Sequence, residues 1–457
     1  MNKLNIRQIT EAAGGMLLQG DDSAYITGVS IDSRTAGSGE MFAAVRGENT
    51  DGHRYIEAAA ANGCTAVLID DNAYRDKIPA GMNAVLVSDT VKALQDIAAY
   101  YRAAMDIKII GVTGSVGKTT TSDMVRAVCS QKFKTAKTKG NFNNHIGLPL
   151  SILGFDPDTQ IGILEMGMDR PGEIEFLAGI AKPDIGIITN IGTAHIEHLG
   201  SRENIFKAKM EIATYFYKKS VLIVNGDDDF LSEIHDTAYR LVKVGSSGSN
   251  QIYVYNISDS AENGVEFTLE YREQATRIHL PVPGRHNAVN AALAIAAGVE
   301  AGVSVQEAAA GLAGLELTDK RLSVKGKNGI KVIDDTYNAS PASMKAAIDV
   351  LVSAKGLRRI AILGDMFEQG ELSSRYHREI GEYVSDKPVD MLIAIGDDAA
   401  YIRDGALKTM SADRVKYYKT KNDFLKEIKN IITSGDVVLV KGSRGMAMEQ
   451  IVKKIME

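Results

Sequence analysis

The sequence predicts an α/β protein of three domains, and three observations carry that prediction. Its 457 residues exceed what one core serves and suggest about three domains at roughly 100–200 residues each. Short continuous apolar runs, the mark of strands buried on both faces, alternate with helical patterns. Forty-three glycines against nine prolines suit many strand-to-helix turns. The composition, 45% hydrophobic and 24% charged, is that of a globular chain. A net charge of −6, from 52 basic and 58 acidic residues, leaves no electrostatic footprint for nucleic acid, so none is expected as a partner. No apolar run approaches the ~18–20 residues that span a bilayer. The opening stretch MNKLNIRQITEAAGG lacks a secretory pattern, so no membrane insertion is expected. Two cysteines, Cys64 and Cys129, make neither a disulfide framework nor a cysteine metal site. A reducing cytoplasm is the expected location.

Residues 1–105 hold strand-like runs at Ala24–Ile31, Met41–Arg46, Thr65–Ile69 and Asn83–Val87, separated by helical stretches such as Tyr55–Ala61 and Val91–Met105. They form the expected small N-terminal α/β domain. Ile107–Val112 then reads as a buried parallel strand that opens a glycine-rich turn. Similar runs at Ile161–Leu164, Asp184–Thr189 and Val221–Val224 predict a doubly wound parallel sheet in a central domain, 106–317. Gly245–Asn250 is a loop, after which Gln251–Leu280 alternates apolar and polar residues as an antiparallel appendage would. In the third domain, 318–457, the runs Ile330–Ile333, Ile360–Leu363, Leu392–Ile395 and Val437–Val440 each end in polar or glycine residues. Ligands of open α/β sheets bind at the carboxyl ends of strands, so this is a second nucleotide-type fold facing a ligand.

The sharpest motif is Gly114-Ser115-Val116-Gly117-Lys118-Thr119-Thr120, directly after the Ile107–Val112 strand. Glycines let backbone N–H groups turn inward around phosphates, Lys118 reaches the β/γ oxygens, and the Thr119 hydroxyl binds Mg²⁺. The spacing departs from the usual phosphate loop, because Val112 stands where the first glycine is expected. ATP is the predicted ligand. Glu165 ends the Ile161–Leu164 strand at the same sheet edge, where a hard cation needs oxygen ligands. A solvated strand-end carboxylate is the plainer alternative. His195, in Asn190-Ile191-Gly192-Thr193-Ala194-His195, also follows a buried strand. A lone histidine is more often structural, but its place on this edge favours a ligand.

Lys209 is the oddity. It falls on the apolar stripe Ile205, Ile212, Ala213 and Phe216, while Lys207 and Lys218 point elsewhere. The bland account is a snorkelling lysine. The sharper one is a desolvated, neutral amine able to add CO₂ and become a carbamate, an anionic oxygen ligand beside magnesium. Asn287, opening the helix Ala291–Ala297 belongs to, either caps it or reads adenine with its amide. In Asp334-Asp335-Thr336-Tyr337-Asn338-Ala339-Ser340-Pro341, Ser340 is a good N-cap and Pro341 a good first helical residue. Asp335 and Asn338 are left over from capping. Lys441 and Arg444, after the last strand, suit a carboxylate or a surface salt bridge. Ser33 and Arg34 follow a strand near the N-terminus and could grip a pyrophosphate, a weak signal alone.

These motifs occur together in one known family. GSVGKTT, TKGNFNNHIGLPL (138–150), EMGM, NIGTAHIEHLGSRENIFKAKMEI, GRHNAVNAALAIA, DDTYNASPASM, GDMFEQGE and VKGSRGMAME resemble, in order and over essentially the whole chain, the Mur ligases of peptidoglycan synthesis. TYNASPASM and GDMFEQGE look like the member whose substrates are UDP-N-acetylmuramoyl-tripeptide and D-alanyl-D-alanine, rather than the tripeptide synthetase or folylpolyglutamate synthase. The resemblance implies an N-terminal UDP-sugar domain, a central P-loop ATPase and a C-terminal Rossmann-like domain, acting as a monomer with ATP and Mg²⁺. It implies that Lys118, Lys209 and His195 are catalytic and that Thr119, Glu165, His195 and a modified Lys209 hold magnesium. Gly114 to Thr120 would bind the nucleotide, with Asn287 on its adenine side. Arg321, in the hinge-like Asp319-Lys320-Arg321, would reach ATP from the third domain, and Asp335 would join it on closure. Ser33 and Arg34 match the uridine-diphosphate motif. Asn141, Asn144 and His145 match a loop over the substrate, with Tyr337 and Asn338 also on the substrate side. The implied reaction passes through an acyl phosphate to ADP and phosphate. Whether the tripeptide ends in lysine or a diaminopimelate stays open. A P-loop switch controlling a partner is the alternative from another class, although a switch has no need of a histidine and a buried lysine at the metal edge.

Overall fold

The computed structural model describes residues 4–317 and 321–457. Three main sheets follow one another along the chain. The first has five strands, in the order Met16–Gln19, Asn83–Leu86, Ala66–Ile69, Met41–Ala43 and Val29–Ser30, with only the Met16–Gln19 pairing antiparallel. The run expected as one strand over Ala24–Ile31 is two. Tyr25–Ile26 pairs with Leu4–Asn5, and after Thr27-Gly28 the chain changes partner so that Val29–Ser30 pairs with Met41–Ala43.

The central sheet has nine strands. Seven run parallel, the first six being Thr135–Lys137, Ile161–Glu165, Lys108–Thr113, Ile185–Ile188, Val221–Asn225 and Arg240–Gly245 in sheet order. Lys108–Thr113 comes first in sequence yet lies between Ile161–Glu165 and Ile185–Ile188, which makes its carboxyl end a switch point. The expected appendage is the continuation of this sheet. Ile252–Ser260 joins Arg240–Gly245 in parallel, and Gly264–Tyr271 and Gln274–Leu280 follow antiparallel. Helices Lys118–Cys129 and His286–Ala301 cover one face and share its aliphatic core.

On the other face the core runs without a break across residue 105. Ile97 and Tyr101 of the helix Thr90–Ala104 pack in one cluster with Leu148, Ile152 and Phe155, and Arg102 Nε donates to the Ala181 carbonyl at 2.9 Å. The first two sheets therefore form one continuous body. The third sheet has six strands, in the order Ser323–Lys327, Ile330–Asp335, Asp436–Lys441, Arg358–Gly364, Met391–Ile395 and Val415–Tyr418, parallel except at the first pair. Its two faces carry cores of their own. The expected hinge residues Asp319 and Lys320 lie outside the described residues. Among the described residues no helix is long and apolar enough to cross a membrane.

Candidate active site

The carboxyl ends of the central and third sheets face each other across a cleft of about 1080 Å³, which the first domain also borders through Gln95. Gln95 is buried, and its amide donates to the His145 carbonyl at 3.0 Å, steadying the loop that carries Asn141, Asn144 and His145 into the cleft.

The phosphate loop leaves the buried strand Lys108–Thr113, and helix Lys118–Cys129 begins directly after Gly117. Gly114 adopts φ +145°, and a Cβ there would fall 1.8 Å from Thr189 Oγ1. Only glycine permits that approach. The neighbouring segment fixes the loop from outside: Asn190 Oδ1 accepts from the Val116 N–H at 3.0 Å, and Thr189 Oγ1 donates to the Val116 carbonyl at 2.6 Å. Ser115 Oγ accepts from the Gly192 N–H at 2.8 Å. Thr189 and Asn190 were not predicted as site residues; their position at the end of an adjacent strand is the signal that would have found them.

Lys118 folds back so that its Nζ donates to the Gly114 carbonyl at 2.7 Å. Burial pulls the Lys118 pKa down, opposed by the negative charge of Glu165. Thr119 Oγ1 donates to Glu165 Oε2 at 3.0 Å, while Glu165 Oε1 is buried without a partner. Glu165 is 1% exposed, so it is no solvated strand-end group, and burial pushes its carboxyl upward. An orphaned anionic oxygen beside a hydroxyl is what a hard cation would complete, so the residues fit Mg²⁺.

His195 sits at φ +62° just before the short helix Ile196–Leu199. Burial, then the charge of Lys118, lowers its pKa, which favours the neutral imidazole that can ligate a metal. Lys209 is 2% exposed on helix Arg202–Met210, between the buried Ile205 and Ile212, whereas Lys207 and Lys218 face solvent. Burial, reinforced by Lys118, drives its pKa well below the usual lysine range. This is the condition the carbamate requires. Lys209 lies beneath the cleft and is not part of its lining.

Asn287 does not cap its helix: Nδ2 donates to the Pro283 carbonyl at 2.7 Å, and Oδ1 accepts from Asn290 at 3.1 Å. Its amide instead borders the cleft together with Asn290. From the third domain, Ser340 and Pro341 open helix Pro341–Ser353 as expected. The Arg321 guanidinium lies 4.0 Å from the Tyr337 ring centroid and that of Arg444 5.6 Å, so both cations stack on one aromatic ring. Lys441 is not in a surface salt bridge. It is 2% exposed and donates to Asp335 Oδ2 and, at 2.8 Å, to the Asn338 carbonyl. That pairing holds Asp335, Tyr337 and Asn338 at the cleft. Ser33 and Arg34 stand apart from it: Ser33 is buried, and exposed Arg34 pairs with Asp32 at 2.7 Å.

A phosphate loop on one sheet, facing a cationic strand-end cluster on a second, defines a nucleotide-dependent enzyme that works between domains. Models of the Mur ligase middle domain, the Mur ligase glutamate ligase domain and the Mur ligase family catalytic domain match residues 112–298, 320–444 and 25–102. The UDP-N-acetylmuramoyl-tripeptide–D-alanyl-D-alanine ligase of Bacillus subtilis is 40% identical over 100% of this chain and 99% of its own. The Escherichia coli ligase of the same name is 31% identical over 100% and 99%. Among solved structures, MurF from Acinetobacter baumannii superposes with a TM-score of 0.90 at 31% identity, covering 100% and 99%. MurF ligase from Thermotoga maritima in complex with ADP gives 0.80 at 28% identity, covering 94% and 97%. The chain belongs to the Mur ligase family.

Proposed function

We propose that this enzyme joins D-alanyl-D-alanine to the peptide carboxylate of UDP-N-acetylmuramoyl-tripeptide, using ATP and yielding the pentapeptide precursor, ADP and phosphate. The observation that carries the reading is the single cleft in which Lys118, Thr119 and Glu165 face Arg321, Tyr337 and Lys441. Full-length relatives bearing that ligase name support it.

In this reading residues 1–105 hold the UDP-sugar, with Ser33 and Arg34 on its diphosphate. Residues 106–317 hold ATP on Gly114 to Thr120, with Asn287 beside adenine. Residues 318–457 bring the dipeptide. Thr119, Glu165, His195 and a carbamylated Lys209 hold Mg²⁺, which neutralises charge on the transferring phosphoryl group when bound. Lys118 balances the same charge from the loop. Arg321 reaches across to ATP as Asp335, Tyr337 and Asn338 close over the substrate held by Asn141, Asn144 and His145. All three domains of one chain border the cleft, which supports a monomer, and the ATP and UDP-linked substrates support a cytoplasmic setting.

The test is ATP turnover in the purified enzyme. ADP should form only when a UDP-linked tripeptide and D-alanyl-D-alanine are both present, and comparing tripeptides ending in lysine and in diaminopimelate identifies the true substrate. Turnover indifferent to both substrates would instead support a P-loop switch.

A further inference from the structure

Glu368 belongs to the third domain but reaches the metal edge of the central one. It sits at φ +61° in the loop after strand Arg358–Gly364, and its Oε2 lies 2.7 Å from His195 Nδ1. Asp169 Oδ1 approaches the same nitrogen at 3.0 Å. Neither oxygen is aligned to accept an N–H from the imidazole, and the buried Nδ1 has no hydrogen-bond partner. One ligand atom from each of Asp169, His195 and Glu368 lies within 4.8 Å of the others, the spread that a single cation with bonds of about 2.0–2.6 Å can bridge. Two carboxylates crowded on one imidazole repel each other unless positive charge sits between them.

The loop is built to deliver this carboxylate. The Met366 N–H donates to His377 Nε2 at 2.9 Å and the Phe367 N–H to Ser443 Oγ at 2.8 Å, which fixes the residues ahead of Glu368 to their own domain. Beyond it, Gly370 adopts φ +53° against Glu197 of the central domain, where an added Cβ would come within 3.3 Å of the Glu197 side chain. Leu372 and Tyr376 of the third domain pack against the core that the first two domains share. Glu368 therefore arrives at His195 only when the third domain is docked.

We propose that Glu368 is the third domain's ligand to the divalent cation at His195, with Asp169 beside it, so that cation binding and domain docking strengthen each other. The inference rests on the metal-binding role proposed above for His195. Because the coupling is reciprocal, losing the carboxylate must weaken the cation's hold and the cation's ability to close the domains by the same factor. Glu368 is half-exposed, so Glu368→Gln should fold.

The experiment titrates Mn²⁺ into the full chain saturated with ADP, following free Mn²⁺ by electron paramagnetic resonance, with small-angle scattering alongside. Glu368→Gln should bind Mn²⁺ about tenfold more weakly and lose Mn²⁺-dependent compaction, while ADP affinity in chelator stays unchanged. Mn²⁺ affinity within twofold of the parent, or tighter, would overturn the proposal; tighter binding would mean that Glu368 shields His195 from the metal. His195→Ala separates the two readings. If it weakens Mn²⁺ binding and Glu368→Gln does not, only this inference falls; if neither does, the metal role of His195 falls with it.

Discussion

Thr119 Oγ1 donates to Glu165 Oε2 at 3.0 Å, tying the first turn after the phosphate loop to the end of the adjacent strand. The bond leaves Oε1 buried and unpaired, so the pair is organised for a ligand at the expense of the ligand-free fold.

That tension can be measured with Glu165→Gln. Burial raises the folded-state pKa of Glu165 above its ordinary 4.5, so the native state binds the extra proton and stability falls as pH rises through the window above 4.5. An amide removes this slope. At pH 8 the ligand-free variant should melt at or above the parent temperature while Mg²⁺-dependent turnover falls by roughly 10²-fold or more. A lower melting temperature would show that Glu165 supports the fold rather than the ligand.

Lys118→Ala should cut turnover by about 10³-fold, because its ammonium balances charge developing on the transferred phosphoryl group. Its bond in the ligand-free enzyme goes to the Gly114 carbonyl within the loop itself, so circular dichroism should be unchanged. Near-normal activity in the folded variant would remove Lys118 from the catalytic group.

Lys209 reverses the pH logic. Its folded-state pKa is depressed by burial, so between that value and 10.5 the unfolded chain binds more protons and stability rises with pH. With CO₂ excluded, so that the parent keeps a free amine, Lys209→Met should therefore be more stable than the parent near pH 7, with the gap closing toward pH 10; with CO₂ supplied it should be nearly inactive. Lys209→Ala should regain part of its turnover with acetate or formate in the vacated volume. Full activity in Lys209→Arg would exclude a carbamate.

Where burial is periodic, the sequence was legible: the stripe through Ile205, Lys209 and Ile212 already placed an amine in the core, and the run before Gly114 located the phosphate loop. Short polar edge strands were not. Ser323–Lys327 has almost no apolar signature, although Asn328-Gly329, both at positive φ, is the turn that forms its hairpin. Relations between distant segments were the least legible. Nothing local to Glu368 announces that it meets His195, and the sequence left open whether Lys441 meets a carboxylate or a surface partner until the sheet set it against Asp335. Asn287 failed as a cap because its amide donates to the carbonyl of Pro283 instead of accepting from its own helix.

The reaction path gives the last prediction. A carboxylate is a poor electrophile: its charge repels an approaching amine, and oxide is a bad leaving group. Moving the γ-phosphoryl group of ATP onto the peptide carboxylate makes an acyl phosphate, from which phosphate departs readily. Lys118, Thr119 and Glu165 are grouped where charge on that phosphoryl group would be balanced. The dipeptide amine then attacks the acyl carbon and must arrive unprotonated. Water or a carboxylate at the cleft takes that proton. One carboxylate oxygen leaves with the phosphate. With the peptide carboxylate fully labelled with heavy oxygen, each released phosphate should carry one labelled atom and the nucleotide product should be ADP. AMP, or unlabelled phosphate, would rule this path out.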